Sequence, residues 1–456
     1  MALVGATVVD GTGASPVPNA TVLVRGDRIA QVGRRDEVAV PDGAAVHDVS
    51  GKFVLPGLID VHVHYFEWMG ELFLAHGVTT VKDVGNDVEW IATARREIEA
   101  GSARGPRLFY TGNGLDVPPP RRDHFIGLES PAMARRVVAL LHEHGAVAIK
   151  VRERMPLELL APVVEAAHEL GLPVTGHLRA TDARAAMDAG IDGLEHASGI
   201  VQATLDPWLT IDLDALEARD IYAKYEAERK AYALINEHRG HDLMRELAGH
   251  GVALIPTMSG WWRMACPRRD DFAAEDAQVA RDPSLAYVPD AARSIWSDSA
   301  LYRIDDPDDL AQLRVGYAKV QAMLRAHHDA GGRLLAGSDT YLSVPGLSLQ
   351  RELLFLADLG YSPLQALVMA TGANAAFLGV ENELGTVTPG KLADLIVLDA
   401  DPLARIEDIA TISMVFVGGR QVERTYHADY TVPTPRPEMR RPLWVERQLV
   451  VSAEHG

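Results

Sequence analysis

The run GLIDVHVHYFEW, residues 57–68, closes an apolar stretch with two histidines one valine apart. In an extended strand residues i and i+2 project to the same side, so His62 and His64 point together while Val61 and Val63 face the other way. Imidazoles paired at a strand's end can share one cation at about 2.0–2.1 Å, or can hydrogen-bond to neighbours. Four further strand-like runs carry a polar group at or near their ends: AIKV with Lys150, VTGHL with His177, LEHAS with His196 and RLLAGSDT with Asp339. An unpaired ammonium inside an apolar run is costly, so Lys150 is salt-bridged, deprotonated or chemically converted to an anion. Taken singly, each residue reads as a satisfied polar group at a strand end. Taken together, at matching strand termini, the six point to a metal centre.

Such a centre needs strands that run the same way and finish at one mouth. From Gly57 onward, eight strand-like runs (LIDVHV, TTVKDV, RLFYTG, AVAIKV, LPVTGHL, GLEHA, VALIPTM, RLLAGSD) alternate with helical patterns such as AMARRVVALLHEHG and PLELLAPVVEAAHELG. Alternation of this kind favours parallel βαβ units, and eight of them suit a (β/α)8 TIM-like barrel, whose sites sit at the C-terminal ends of the strands. An open doubly wound sheet satisfies the count equally. Residues 1–56 and 385–425 read as short alternating strands, expected to join in a small β-sandwich built from both chain ends. The barrel is then 57–384, and 426–456 is a Pro/Arg-rich C-terminal extension. Residues 208–245 are helical in pattern, whereas 261–306 read as a long, weakly periodic loop. His142, His144, His168, His327 and His328 fall on amphipathic helices and are expected at the surface.

Composition excludes several classes. A net charge of −19 repels a phosphate backbone, and no basic run offsets it, so nucleic acid is not an expected partner. One cysteine, Cys266, rules out an intrachain disulfide framework and reads as a bystander thiol in a reducing compartment. The N-terminus MALVGATVVDGTG lacks a secretion signal, and no apolar stretch approaches the roughly 20 residues that span a bilayer. The expectation is a cytoplasmic protein acting on a small molecule, without a membrane partner, as a homo-oligomer.

The order and local contexts PGLIDVHVH, AIKV, GHL, EHAS, GSDT and GKLADLIVLD resemble the amidohydrolase superfamily of metal-dependent hydrolases, over nearly the whole chain. The resemblance implies a distorted (β/α)8 barrel with a sandwich from both termini. It implies two divalent ions, Zn2+ foremost, bridged by a carbamate that carbon dioxide forms on Lys150. His62, His64 and Asp339 would hold the more buried ion, and His177 and His196 the other. Asp339 would also be catalytic, taking a proton from the attacking water and returning it to the leaving group. Within the superfamily, GHLRATDARAAMDAGIDGLEHASG followed by GVALIPTM resembles the prolidase-like and Xaa-Arg dipeptidases, a run shared with imidazolonepropionase-like members. Those one-metal relatives lack a lysine on the fourth strand, so Lys150 favours two metals.

The implied reaction is hydrolysis of an amide bond, in a dipeptide or an N-acyl amino acid. An aromatic carbamate, ester or lactone is the alternative, because the subgroup's Gly-Gly-His after strand three is replaced here by TGNGLDVPPPRRDH. A deaminase would use a glutamate after strand five, which His177-Leu178-Arg179 does not supply. A non-catalytic relative would be expected to lose ligands, and all six are present. For substrate contacts the sequence offers Arg152, which shares a face with Lys150 and can pair with a carboxylate. Arg179 invites the same argument with less weight. Tyr65 and Trp261 are candidate aromatic walls, Tyr222 and Tyr225 candidate oxyanion donors, and His124 a residue lining the site from a lid.

Overall fold

The computed structural model describes residues 1–122, 124–206, 227–297, 304, 306–340, 343–430 and 434–436. The chain opens with strands β1 (Ala2–Val8), β2 (Val17–Arg25), β3 (Arg28–Arg34), β4 (Val46–Asp48) and β5 (Phe53–Pro56). Next come β6 (Leu58–Val63), β7 (Val78–Asp83), β8 (Arg107–Tyr110), β9 (Leu115–Asp116), β10 (Ile126–Gly127) and β11 (Ile149–Val151). Then follow β12 (Val174–Gly176), β13 (Gly193–Glu195) and β14 (Ala253–Ile255), and near the end β15 (Leu395–Leu398), β16 (Ile412–Val417) and β17 (Arg420–Val422).

Both chain ends build one mixed sheet, in the order β17-β16-β15-β5-β1-β2-β3, with β4 beside β1. The seam is antiparallel, Leu395 facing Pro56 and Leu398 facing Phe53. Alternating apolar residues of both halves, among them Leu3, Val22, Val54, Leu395, Val397 and Phe416, form its core. Neither half has enough apolar area to stand alone.

The middle of the chain forms parallel ladders, β6-β7-β8 and β10-β9-β11-β12-β13-β14. Val147 N donates to Tyr110 O at 3.0 Å between the two sheets, and Val61 N donates to Ala336 O at 3.3 Å at the far side. Seven of the eight expected barrel strands are ladder strands. The eighth, 333–340, is held by isolated bridges from Leu334 to Leu254 and from Thr340 to Val63. Asn374 fastens it as well, its Nδ2 donating to Ile59 O at 2.7 Å and Ala336 O at 2.8 Å. The short strands β9 and β10 arise from the proline-rich run after β8, which folds back beside β11.

The intervening helices stop where the sequence says they should. Pro131–Glu143 begins at Ser130, whose Oγ accepts from Met133 N at 3.2 Å, with proline in its first turn. It ends before Gly145, at φ +87, where an added Cβ would lie 2.8 Å from Tyr110 Oη. Glycine is required there on both counts.

Two expectations are corrected. Much of 261–306 is helical, as Arg269–Ala280, a short 3-10 turn Pro283–Leu285 and Asp290–Ser297. The first of these turns an acid inward: Asp276 is buried and paired with Arg351 at 2.8 Å, which removes the apolar periodicity that marks a helix. His327 is not on the surface. It is fully buried, with Nδ1 3.2 Å from Met244 O. Cys266 is buried too, its Sγ 3.1 Å from Arg263 O, and burial pushes the thiol up to about 11. Among the described residues no helix is long and apolar enough to cross a membrane.

Candidate metal centre

His62 is the penultimate residue of the buried strand β6 and is wholly inaccessible. Its backbone is set by Asp60, whose carboxylate accepts from His62 N at 3.1 Å, Ser338 N at 3.0 Å and Ser338 Oγ at 2.5 Å. One buried carboxylate thus fixes the end of β6 against the end of the last strand. Burial pushes Asp60 up to about 7 despite these donors. Gly337 allows the approach, since a Cβ there would meet Ile255 Cγ2 at 2.7 Å and His62 Cβ at 2.8 Å.

Asp339 follows in a left-handed conformation, φ +52. Its Oδ1 lies 3.4 Å from His62 Nε2 and 3.5 Å from His64 Nε2, and its Oδ2 lies 3.8 Å from His196 Nδ1. His196 is left-handed as well, φ +60, and its Nδ1 is 2.6 Å from Thr257 Oγ1, another left-handed residue at φ +49. The His196 ring centre is 4.7 Å from that of His62 and 4.5 Å from that of His177. Burial drives His62, His64 and His196 well below the usual histidine range. They are neutral imidazoles, each with a lone pair able to bind a cation.

Lys150, fully buried on β11, has its Nζ in direct contact with Glu195 Oε2. Burial first, then the charges of Arg152 and Lys82, holds this amine well below the usual lysine range. Glu195 also accepts from Thr175 Oγ1 at 2.8 Å and lies 3.6 Å from His62 Nδ1. Neither ring nitrogen of His62 has a hydrogen-bond partner among the described residues. A buried histidine in that state, ringed by carboxylates and imidazoles, fits a cation. Ligand atoms of His62, His64 and Asp339 lie within 4.8 Å of one another, as do those of His62, Glu195 and His196.

The structure therefore gathers His62, His64, His196 and Asp339, with Lys150 joining through Glu195. His177 adjoins His196 but belongs to neither group of mutually close ligand atoms. Its Nδ1 faces Glu153 Oε1 at 3.8 Å. Glu153 is a buried hub for arginines, with Arg121 at 2.6 Å, Arg179 at 3.7 Å and Arg152 at 3.8 Å. Trp261 walls the site, its ring 5.0 Å from His196 and 5.4 Å from His177. Glu352 sets that wall by accepting from Met258 N at 2.9 Å and Ser259 N at 2.7 Å. Arg152 lies over Phe125 at 4.9 Å. His124 is buried against the same ring, 4.6 Å between centres, and burial with the charges of Arg436, Arg122 and Arg152 pushes it down to about 3.

Tyr65 is not a site wall. As the neighbour of His64 it turns to the opposite side, where it is buried in the core with Phe73 at 6.3 Å and Trp90 at 6.4 Å. Tyr222 and Tyr225 lie outside the described residues. Sequence reasoning missed Glu195, because strict alternation sends it away from His196. The left-handed turn at His196 breaks that alternation. Asp60 and Glu352 were also missed, although each is an acid in an apolar run, which is the available signal.

These features meet in one class of protein. The amidohydrolase family model matches residues 53–422, and the chain belongs to that family. The chain is 24% identical to 5-methylthioadenosine/S-adenosylhomocysteine deaminase of Symbiobacterium thermophilum, over 87% of this chain and 84% of that protein. It is likewise 24% identical to the imidazolonepropionase of the same organism, over 84% of this chain and 85% of that one. Among solved structures it is similar to a candidate prolidase from Bifidobacterium longum (TM-score 0.66, 25% identity, 99% and 98% of the two chains). A Xaa-Pro dipeptidase with methionine in its active site shares the fold (TM-score 0.64, 20% identity, 92% and 99%). The architecture is the amidohydrolase fold, of TIM-barrel type.

Removing the Asp60 carboxylate loosens the two strand ends, which keep their backbone bonds. Asp60→Ala should lower stability by about 2–4 kcal/mol, through the lost hydrogen bonds and the unsatisfied groups left behind. Asp60→Asn should fold yet retain less metal after dialysis, read by elemental analysis. Wild-type metal retention in Asp60→Asn would refute the positioning role.

Proposed function

We propose that this protein is a metal-dependent hydrolase of an amide bond in a small carboxylate-bearing substrate, a dipeptide or an N-acyl amino acid. The observation that carries the reading is His62, buried, neutral and with both ring nitrogens lacking hydrogen-bond partners, at the meeting point of Asp339, Glu195 and His196. We read the eight strands as a closed (β/α)8 barrel, supported by the backbone bonds between β8 and the approach to β11 and between β6 and the last strand.

His62, His64 and Asp339 would hold one divalent ion and His177 and His196 a second, Zn2+ being the expected metal. When bound, such ions lower the pKa of water and polarise a carbonyl. The chain's residues do the rest. Asp339 is 21% exposed, the most open carboxylate of the cluster, and is the group placed to take a proton from water and hand it to the leaving nitrogen. Lys150 is a buried amine held below its usual range, the form that reacts with carbon dioxide. Its nitrogen would bond to carbon and lose one proton, for which Glu195 is the adjoining acceptor. Arg152, with Arg179 behind it, offers positive charge to a substrate carboxylate.

A second reading keeps the site and changes the substrate. The Trp261 ring beside His177 and His196 suits a flat apolar group, so an aromatic carbamate, ester or lactone follows next. A deaminase ranks lower, because Glu153, a buried acid 3.8 Å from His177, is paired with Arg121 at 2.6 Å.

Three outcomes are expected. A panel of dipeptides, N-acyl amino acids and aryl carbamates should yield a hydrolysed member whose turnover a chelator abolishes and zinc restores. A chelated sample as active as before overturns the reading. Asp339→Asn should lose about two orders of magnitude or more in kcat while metal content stays appreciable, and wild-type kcat would remove Asp339 from proton transfer. Lys150→Ala should bind at least one metal fewer per chain, whereas unchanged content would exclude a bridging carbamate.

A further inference from the structure

The backbone of His196 is held from two sides. Its N donates to Ile255 O on β14 at 2.9 Å. Its carbonyl and that of Ala197 accept from the buried Tyr232 Oη at 3.3 and 2.7 Å. These bonds leave two freedoms, the rotation of the imidazole and the choice of which nitrogen carries the proton. Thr257 removes both. It is fully buried two residues beyond β14, and its Oγ1 lies 2.6 Å from His196 Nδ1. The competing acceptor, Asp339 Oδ2, is 3.8 Å from the same nitrogen, beyond hydrogen-bond reach.

A hydroxyl has one proton to give, and Thr257 gives its own to Pro256 O at 2.8 Å. Toward His196 it then accepts, so Nδ1 is the protonated nitrogen and Nε2 carries the lone pair. The threonine is itself clamped. Its left-handed backbone, φ +49, opens the single turn Met258–Trp261. Glu352, from the helix Leu347–Asp358, accepts the first two N–H groups of that turn. On the other side Ser259 Oγ donates to Ser338 O at 3.3 Å, and a Cβ on Gly260 would stand 3.1 Å from Asp339 Cβ. One short segment thus touches His196 through Thr257 and backs onto Asp339 through Gly260.

We propose that Thr257 is the positioning residue for His196, fixing it as the Nδ1–H tautomer so that Nε2 is the atom offered to a divalent ion. Glu352 holds Thr257 in place from the helix behind the turn. The inference rests on the reading of His196 as a metal ligand and goes beyond it by naming the nitrogen that binds and the residue that selects it.

The test uses the full-length chain and the variants Thr257→Val, which keeps the shape without the hydroxyl, and Thr257→Ser, which keeps the hydroxyl. Long-range proton–nitrogen correlation spectra of metal-free protein report the tautomer of His196, whose signals are those missing from His196→Gln. The wild type and Thr257→Ser should show Nδ1–H, and Thr257→Val should lose that preference. Competition with a chromophoric chelator then reads zinc affinity. Thr257→Val should bind one ion per chain about 10–100-fold more weakly, with Thr257→Ser restoring most of the affinity. A threonine that merely packs would lower the Tm of metal-free Thr257→Val and leave tautomer and affinity unchanged, which overturns the proposal. A wild-type His196 protonated on Nε2 overturns it as well. If the wild type binds no zinc, the metal-centre reading fails and takes this inference with it. Full zinc binding by the wild type with equal affinity in Thr257→Val overturns the inference alone.

Discussion

The grip of one buried carboxylate on two strand ends underlies this site. Asp60 receives the backbone of His62 and both the backbone and hydroxyl of Ser338. The first and last strands also meet through backbone hydrogen bonds, Val61 N to Ala336 O, His64 N to Thr340 O and Asp339 N to His62 O. The grip and the direct bond from Asp339 N to His62 O, 2.9 Å, together hold the two ligands side by side. A carboxyl group buried this deeply is tolerated because donors surround it. The hydroxyls of Ser338, Thr340 and Ser348 extend the network.

The second constraint is backbone strain. Among the described residues, five non-glycine residues have positive φ, and His196, Ala197, Thr257 and Asp339 are four of them. Each costs about 1–3 kcal/mol and persists only where its surroundings enforce it. Here the return is directional. A left-handed residue just past a strand lets neighbouring side chains, Glu195 with His196 and Ser338 with Asp339, turn toward the same interior. An ordinary strand end would have split each pair between two faces.

That departure marks the boundary of what was legible in the sequence. The pairing of His62 with His64 follows from strand parity alone, and chain order was enough to draw His196 and Asp339 toward them. Both chain ends were readable as partners in one sheet from their alternation and their small apolar area. Parity also placed Tyr65 on the side away from His64, and its assignment to the pocket neglected that rule. Glu195 and Asp60 were not legible as site residues, because neither left-handed turns nor long-range carboxylate contacts leave a local pattern. The helix Arg269–Ala280 escaped notice for a related reason: the face it buries carries an acid that only the distant Arg351 explains.

The mixed sheet at the chain ends has a consequence for synthesis. Strand β5 precedes the barrel and β15 follows it, yet they are hydrogen-bonded neighbours. Until the ribosome has delivered the whole barrel, β1 to β5 lack the strand that completes their sheet. Pairing across so long an intervening chain carries a large closure entropy and comes late. The last act of assembly is a clasp between head and tail, and a nascent chain waiting for it presents the kind of bare edge that invites chaperones or another copy of itself.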